Sequence, residues 1–165
     1  MASSKKTIIS VIITTVLIAA GVGCVVAINS PKEPEPVATI EKFELDNELF
    51  EKSELVEITA KEYAELIAAK KSFLVMVHMA ICPAEMPLTS TTKQLIRQEN
   101  FTIYSLLQDE FKETELYNSI KYLPSMAIIK DGELVKFLDA ESNEDLPHYK
   151  TPESLKSWVE TYVEL

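Results

Sequence analysis

The sequence predicts an α/β domain with a mixed central sheet and helices on both faces, preceded by one N-terminal transmembrane helix. Three observations predict it. From about Glu54 onward, strand-like segments alternate with segments of helical periodicity, the order expected of a layered α/β domain. Phe73-Leu74-Val75-Met76-Val77 is an unbroken apolar run, which suits a strand covered on both faces. Thr7 to Ile28 carries no charged side chain. At about 1.5 Å per residue, against about 30 Å of hydrocarbon, that stretch is long enough to cross a bilayer as a helix.

Residues 1–6 precede this segment and include Lys5 and Lys6, whereas Pro31 to Glu54 on its other side is mostly acidic. The positive-inside rule then keeps the N-terminus in the cytoplasm and places the rest of the chain outside it, on a single-pass anchor in the cell membrane. Two rival readings also export the domain. A cleaved signal peptide needs a small-x-small site, and Val25 to Ile28 instead continue the apolar run past any such cut. A lipoprotein would be modified at Cys24, because Gly21-Val22-Gly23-Cys24 resembles a lipobox, although Gly21 stands where an aliphatic residue is usual. Residues 29–53 read as a Pro/Glu-rich linker, opening with the extended spacer Asn29 to Pro36 and containing one short helix at most. The folded domain is expected over 54–165.

Within it, Val56 to Thr59 reads as a short strand, and Thr59 with Glu62 forms a capping box for a helix over 60–69. After the apolar strand at 73–77, a helix is expected from about Pro83 to Gln98 and a strand from Phe101 to Leu107. Residues 112–121 carry a helical stripe of Leu116, Tyr117 and Ile120. Ser125 to Ile129 and Leu134 to Leu138 flank Lys130-Asp131-Gly132-Glu133, whose Asp-Gly pair is a hairpin signal. Thr151 caps a last helix with Pro152 at its first position. The expected order is βαβαβαββα.

Composition narrows the function. A formal net charge of −10 argues against nucleic acid as a partner and against adsorption of the folded part to anionic lipid, both of which need clustered Lys and Arg. The two cysteines, Cys24 and Cys82, lie too far apart in sequence and setting to form a disulfide framework. No Cys/His cluster has zinc-ligand spacing, so no metal and no cofactor is expected. His148 sits in an acidic loop with Glu141, Glu144 and Asp145, where a solvated role is expected. Asn100-Phe101-Thr102 matches a glycosylation sequon but opens a strand.

Leu123-Pro124-Ser125-Met126-Ala127-Ile128-Ile129 followed by Lys130-Asp131-Gly132-Glu133 resembles the Ile-Pro-Thr strand and Lys-x-Gly-Glu hairpin of the thioredoxin family. With the upstream strand order, the resemblance covers about residues 54–165 and implies a thioredoxin-like fold. It implies that Pro124 is the cis-proline, that Leu123 before it faces substrate backbone, and that Ile81 stands where a tryptophan usually precedes the nucleophile. Cys82 lies eight residues after Leu74, the family's distance to its first cysteine, just before a helix. Such a position favours thiolate, because helix N–H groups and the macrodipole stabilise negative charge. Cys82-Pro83-Ala84-Glu85 then replaces Cys-x-x-Cys, with Glu85 at the place of the resolving cysteine. In a second alignment Cys82-Pro83-Ala84-Glu85-Met86-Pro87 resembles the stretch that begins at the second cysteine of membrane-tethered thioredoxins of the cytochrome-maturation type. Both alignments leave a single thiol. A glutamate closes no disulfide, so dithiol turnover through this motif is chemically ruled out.

Further parts of the family's machinery are missing. Its buried acid falls on Met76, and His78 stands at a position that is normally aromatic, as a base near Cys82 or as a strand-end packing residue. A carboxylate at Glu85, about 6 Å from the thiol at an effective dielectric near 20, opposes ionisation by about 2–3 kcal/mol before screening. The helix dipole offers about 0.3–1 kcal/mol, so the Cys82 thiol is expected to titrate not far below its ordinary value. Two functions follow as expectations. One is a non-catalytic adaptor or chaperone-like binder of extracytoplasmic client proteins. The other is a monothiol redox protein that forms mixed disulfides with a client cysteine or a low-molecular-weight thiol through Cys82.

Overall fold

The computed structural model describes residues 41–80 and 87–165. The expected membrane helix over 7–28 and Cys24 lie outside the described residues, as do Ile81, Cys82 and Glu85. No helix of the described residues is long and apolar enough to cross a membrane.

In chain order the elements are β1 (Phe43–Glu44), a 3-10 turn (Asn47–Phe50), β2 (Leu55–Glu57), α1 (Ala60–Ala68), β3 (Phe73–His78), α2 (Pro87–Glu99), β4 (Ile103–Leu107), α3 (Gln108–Lys112), α4 (Leu116–Ser119), β5 (Ser125–Lys130), β6 (Glu133–Phe137), a second 3-10 turn (Leu146–Tyr149), α5 (Pro152–Val159) and β7 (Val163–Glu164). The main sheet has the strand order β2-β4-β3-β5-β6. β4 runs parallel to both β2 and β3, whereas β5 is antiparallel to β3 and to β6, so the sheet is mixed as expected.

The apolar run at Phe73 to Val77 is the central strand, and all five side chains are fully buried. α1 starts at the capping box read from the sequence: the Glu62 N–H donates to Thr59 Oγ1 (3.2 Å) and the Thr59 N–H to Glu62 Oε2 (2.8 Å). Tyr63 then packs edge-on against Phe73 (6.0 Å between centroids), which meets Tyr104 the same way (5.5 Å). α2 packs against α5 through apolar side chains on each, with Lys156 Nζ 2.8 Å from Glu99 Oε1 at the rim.

The helix expected over 112–121 forms only as the short α4, and a separate helix, α3, ends at the residue where it was expected to begin. The Thr114 hydroxyl donates to the Phe111 carbonyl (2.8 Å), ending α3 before α4 begins. Local bonding by a threonine competes here with continued helix. Leu116 and Ile120 are buried, but Tyr117 points outward and is 51% exposed.

Asp131 and Gly132 both have positive φ (51° and 79°), the geometry that joins two-residue hairpins. At Gly132 the requirement is absolute in another sense as well, because a Cβ would lie 2.5 Å from the Ile67 carbonyl oxygen. Gly132→Ala is expected to destabilise the domain by about 2 kcal/mol or more. A thermal melt coincident with that of the native chain would show that the turn relaxes around the methyl group.

The stretch read as linker departs most from expectation. Residues 41–53 belong to the domain. β1 pairs in parallel with β7, and the Phe43 N–H donates to the Tyr162 carbonyl (3.0 Å). Asp46 and Ser72 exchange two bonds, Asp46 N–H to the Ser72 carbonyl (3.0 Å) and Ser72 N–H to Asp46 Oδ2 (3.2 Å). Lys71 Nζ bridges Asp46 (3.5 Å) and Glu48 (3.2 Å). The Leu49 carbonyl accepts from the Thr102 N–H (2.7 Å), and the Lys52 carbonyl from the Thr102 hydroxyl (2.8 Å). Leu45 and Leu49, four residues apart, are 3% and 2% exposed. Their carboxylate neighbours hid this short apolar stripe in the sequence. The same contacts occupy the sequon: Phe101 is buried and the Thr102 hydroxyl is bonded to the arm.

Candidate functional site

Four strand ends meet at one edge of the sheet. His78 closes β3 opposite Leu107 of β4, Val77 pairs with Ser125 at the start of β5, and the end of β6 lies beside Ala127. A crevice beyond the carboxyl ends of parallel strands is the usual ligand site of open α/β sheets. The chain enters β5 through Leu123-Pro124, and this peptide bond is cis. Pro124 is buried and Leu123 half-buried, so Leu123 shows part of its side chain to solvent immediately before the bond.

Ile81, Cys82 and Glu85 lie outside the described residues, so the structure brings no thiol to this edge within what it describes. The flanking residues are defined. Met76, where the resemblance puts a buried acid, is fully buried and registers with Ser105 on one side and Met126 on the other. His78 is half-buried, with Nδ1 3.2 Å from the Met79 carbonyl oxygen, a contact it makes as an N–H donor. Met79, just beyond it, is 36% exposed.

Sequence reasoning missed a buried polar knot behind the proline. The Ser125 hydroxyl (2.7 Å) and the Tyr149 hydroxyl (3.0 Å) both donate to the Leu138 carbonyl, and the Thr91 hydroxyl of α2 donates to the Tyr149 carbonyl (3.2 Å). One tyrosine thus fastens the loop after β6 to β5 and to α2. Burial raises the Tyr149 phenol well above its ordinary pKa, helped by Asp145 and Asp139. The sequence signal was weak, a single aromatic residue at the end of an acidic loop. That loop is also less solvated than expected. Asp145 is buried and accepts from the Asp139 N–H (2.9 Å), and His148 Nδ1 lies 2.8 Å from the Ser154 carbonyl oxygen. Among the described residues, no group of three or more His, Cys, Asp or Glu side chains is placed to hold a metal ion.

The element order and the strand order β2-β4-β3-β5-β6 describe a thioredoxin-like α/β domain. No protein-family model and no curated relative matches the sequence. Among solved structures, the chain is similar to a reduced thioredoxin pre-protein of Schistosoma mansoni (19% identity, TM-score 0.48, covering 66% of this chain and 98% of that one). It is similar also to mitochondrial thioredoxin 3 of Saccharomyces cerevisiae in its oxidised form (16%, TM-score 0.47, 64% and 93%). A third is the thioredoxin of Malassezia sympodialis (11%, TM-score 0.49, 66% and 90%). At these identities the likeness concerns the fold alone.

Proposed function

We propose that this chain is a membrane-tethered thioredoxin-like binding module, displayed outside the cytoplasm, that holds client proteins against its cis-proline face without dithiol turnover. The observation that carries this reading is the motif Cys82-Pro83-Ala84-Glu85, in which a carboxylate stands where a second thiol is required. Met76 supports it. Fully buried between Ser105 and Met126, it leaves no ionisable group at the position from which the family relays protons. Leu123, half-buried and immediately before the cis bond, keeps part of its surface available to a passing backbone.

A second reading, monothiol exchange through Cys82, draws on the place of that cysteine shortly before α2. Alkylation separates the two. In the 165-residue chain carrying Cys24→Ser, the rate of thiol alkylation is followed across roughly pH 4–10. The binding-module reading expects slow reaction, with a midpoint near the ordinary thiol value of about 8.5 or above. Rapid reaction with a midpoint below about 7 would overturn it in favour of mixed-disulfide chemistry. Client capture should also survive Cys82→Ser and be lost with Leu123→Asp.

A further inference from the structure

β2 is an edge strand: it has β4 on one side and, among the described residues, no strand on the other. The Ile103 N–H donates to the Glu54 carbonyl (3.1 Å) and the Ile58 N–H to the Ser105 carbonyl (2.9 Å). Alternate residues of a strand turn their backbone groups to opposite edges, so the N–H and C=O of Leu55 and Glu57 face away from β4. An edge this short is a poor template for aggregation, but it still presents two residues to a visiting strand.

Beside this edge, Ser53, Glu54 and Leu55 together with Lys93, Ile96 and Arg97 of α2 line a cavity of about 240 Å³. Ile96 is buried and Leu55 half-buried, so strand and helix each give the cavity an apolar part. Lys93 and Arg97 stand one helical turn apart, and both are exposed. Among the described residues neither forms an ion pair. The one carboxylate of the lining, Glu54, is matched by Lys52 Nζ (3.7 Å), and Glu57 lies outside the lining. The groove therefore carries two uncompensated positive charges on a chain whose formal net charge is −10.

We propose that the groove between β2 and α2 takes an extended acidic segment of a partner protein, added to the sheet as a strand beside β2, with its carboxylates on Lys93 and Arg97. In strand addition, main-chain hydrogen bonds hold the peptide and the side chains facing the groove select it. Charge complementarity names the occupant, because an ammonium and a guanidinium group together draw carboxylates and repel a basic segment. The open edge favours a peptide over a free anion, which has no N–H to give the Leu55 or Glu57 carbonyl. The groove lies at the amino ends of the parallel strands, away from the Leu123–Pro124 bond, and stands independently of the binding-module reading.

The test uses the 165-residue chain in detergent micelles and two fluorescein-labelled twelve-residue peptides, alternating threonine with glutamate or with glutamine. Fluorescence anisotropy is expected to show the glutamate peptide binding about tenfold or more tighter than the glutamine peptide. The overall charge of −10 works against that order, so net charge cannot produce it. A glutamate peptide that binds no better than the glutamine one would overturn the proposal. Lys93→Gln with Arg97→Gln should weaken the glutamate peptide about tenfold. Lys130→Gln with Lys136→Gln removes the same charge near the opposite edge of the sheet and should leave binding unchanged; equal losses in the two pairs would overturn the site. N-methylating the glutamate peptide, at every threonine in one form and every glutamate in another, strips N–H groups from one strand edge at a time. At least one form should bind about tenfold more weakly, and full binding by both would overturn strand pairing. Sedimentation velocity tests a second copy as occupant: a dimer dissociated by Lys93→Gln with Arg97→Gln would overturn the proposal. Leu123→Asp should leave glutamate-peptide binding intact, and circular dichroism on each variant separates loss of binding from loss of fold.

Discussion

A chain beginning at residue 54 is expected not to fold, whereas one beginning at residue 38 should give a cooperative melt. The shorter chain keeps every element of the main sheet, so the prediction rests on the arm before it. Burying Leu45 and Leu49 contributes about 1.5–3 kcal/mol each. Removing the arm also leaves the Ser72 N–H, the Thr102 N–H and the Thr102 hydroxyl without the partners they have in the folded chain. Each such loss costs about 1–3 kcal/mol where water does not reach the group. Together these terms rival the whole stability of a small domain, about 5–15 kcal/mol. Far-ultraviolet circular dichroism and thermal unfolding of the two chains decide the matter. Leu49→Ala in the longer chain should by itself lower stability by about 2–5 kcal/mol. If the chain from residue 54 melted within a few degrees of the other, the arm would be an ornament on a domain complete without it.

The second large effect is alkaline. Burial holds the phenols of Tyr63, 1% exposed, and Tyr149, 9% exposed, far above the ordinary tyrosine pKa of about 10. For Tyr63, the Glu115 carboxylate that accepts its hydroxyl (3.1 Å) adds to the shift. A group whose folded pKa is raised contributes stability that is complete below its unfolded pKa. Above that value the unfolded chain loses the proton and the folded chain keeps it, so stability falls as pH rises. Each tyrosine should then cost about 1.4 kcal/mol per pH unit, or roughly 4 kcal/mol for the pair by pH 11.5. Lys71 and Lys156 have pKa values raised by Glu48 and Glu99 and act in the same direction, but they lie at the surface. Urea unfolding of residues 38–165 between pH 8 and 11.5 measures the slope, and Tyr63→Phe and Tyr149→Phe should each remove about half of it. A native slope no steeper than that of the double variant would show that neither phenol is sheltered.

Much of the fold was legible because its signals are local or strongly patterned. The central strand announced itself by an apolar run, α1 by a capping box, the hairpin by Asp-Gly, and α5 by Thr151-Pro152. The arm was illegible because its two core leucines sit among Glu44, Glu48 and Glu51, and what docks the arm is hydrogen bonding of Phe43, Asp46, Leu49 and Lys52 to Ser72, Thr102 and Tyr162, far away in the chain. The break between α3 and α4 turns on one threonine hydroxyl. At the candidate site, Leu123-Pro124 was readable from its sequence context. The Ser125–Leu138–Tyr149 knot was not, because hydrogen bonds between distant residues leave no periodicity. Composition alone made the loop around His148 look solvated, although two of its residues, Asp145 and Tyr149, are buried.

The docking of the arm also decides how the domain would bear force. Ser72, gripped by Asp46, is the residue immediately before β3, and His78 at the other end of β3 adjoins the proline face. Tension between the chain N-terminal to the arm and anything held at that face therefore runs along the central strand, over about 20 Å. Strands loaded along their axis resist by shearing many hydrogen bonds at once instead of parting them one at a time. β3 has such neighbours on both sides, β4 and β5. A load applied between the arm and the proline face would therefore be carried by the stiffest element of the domain.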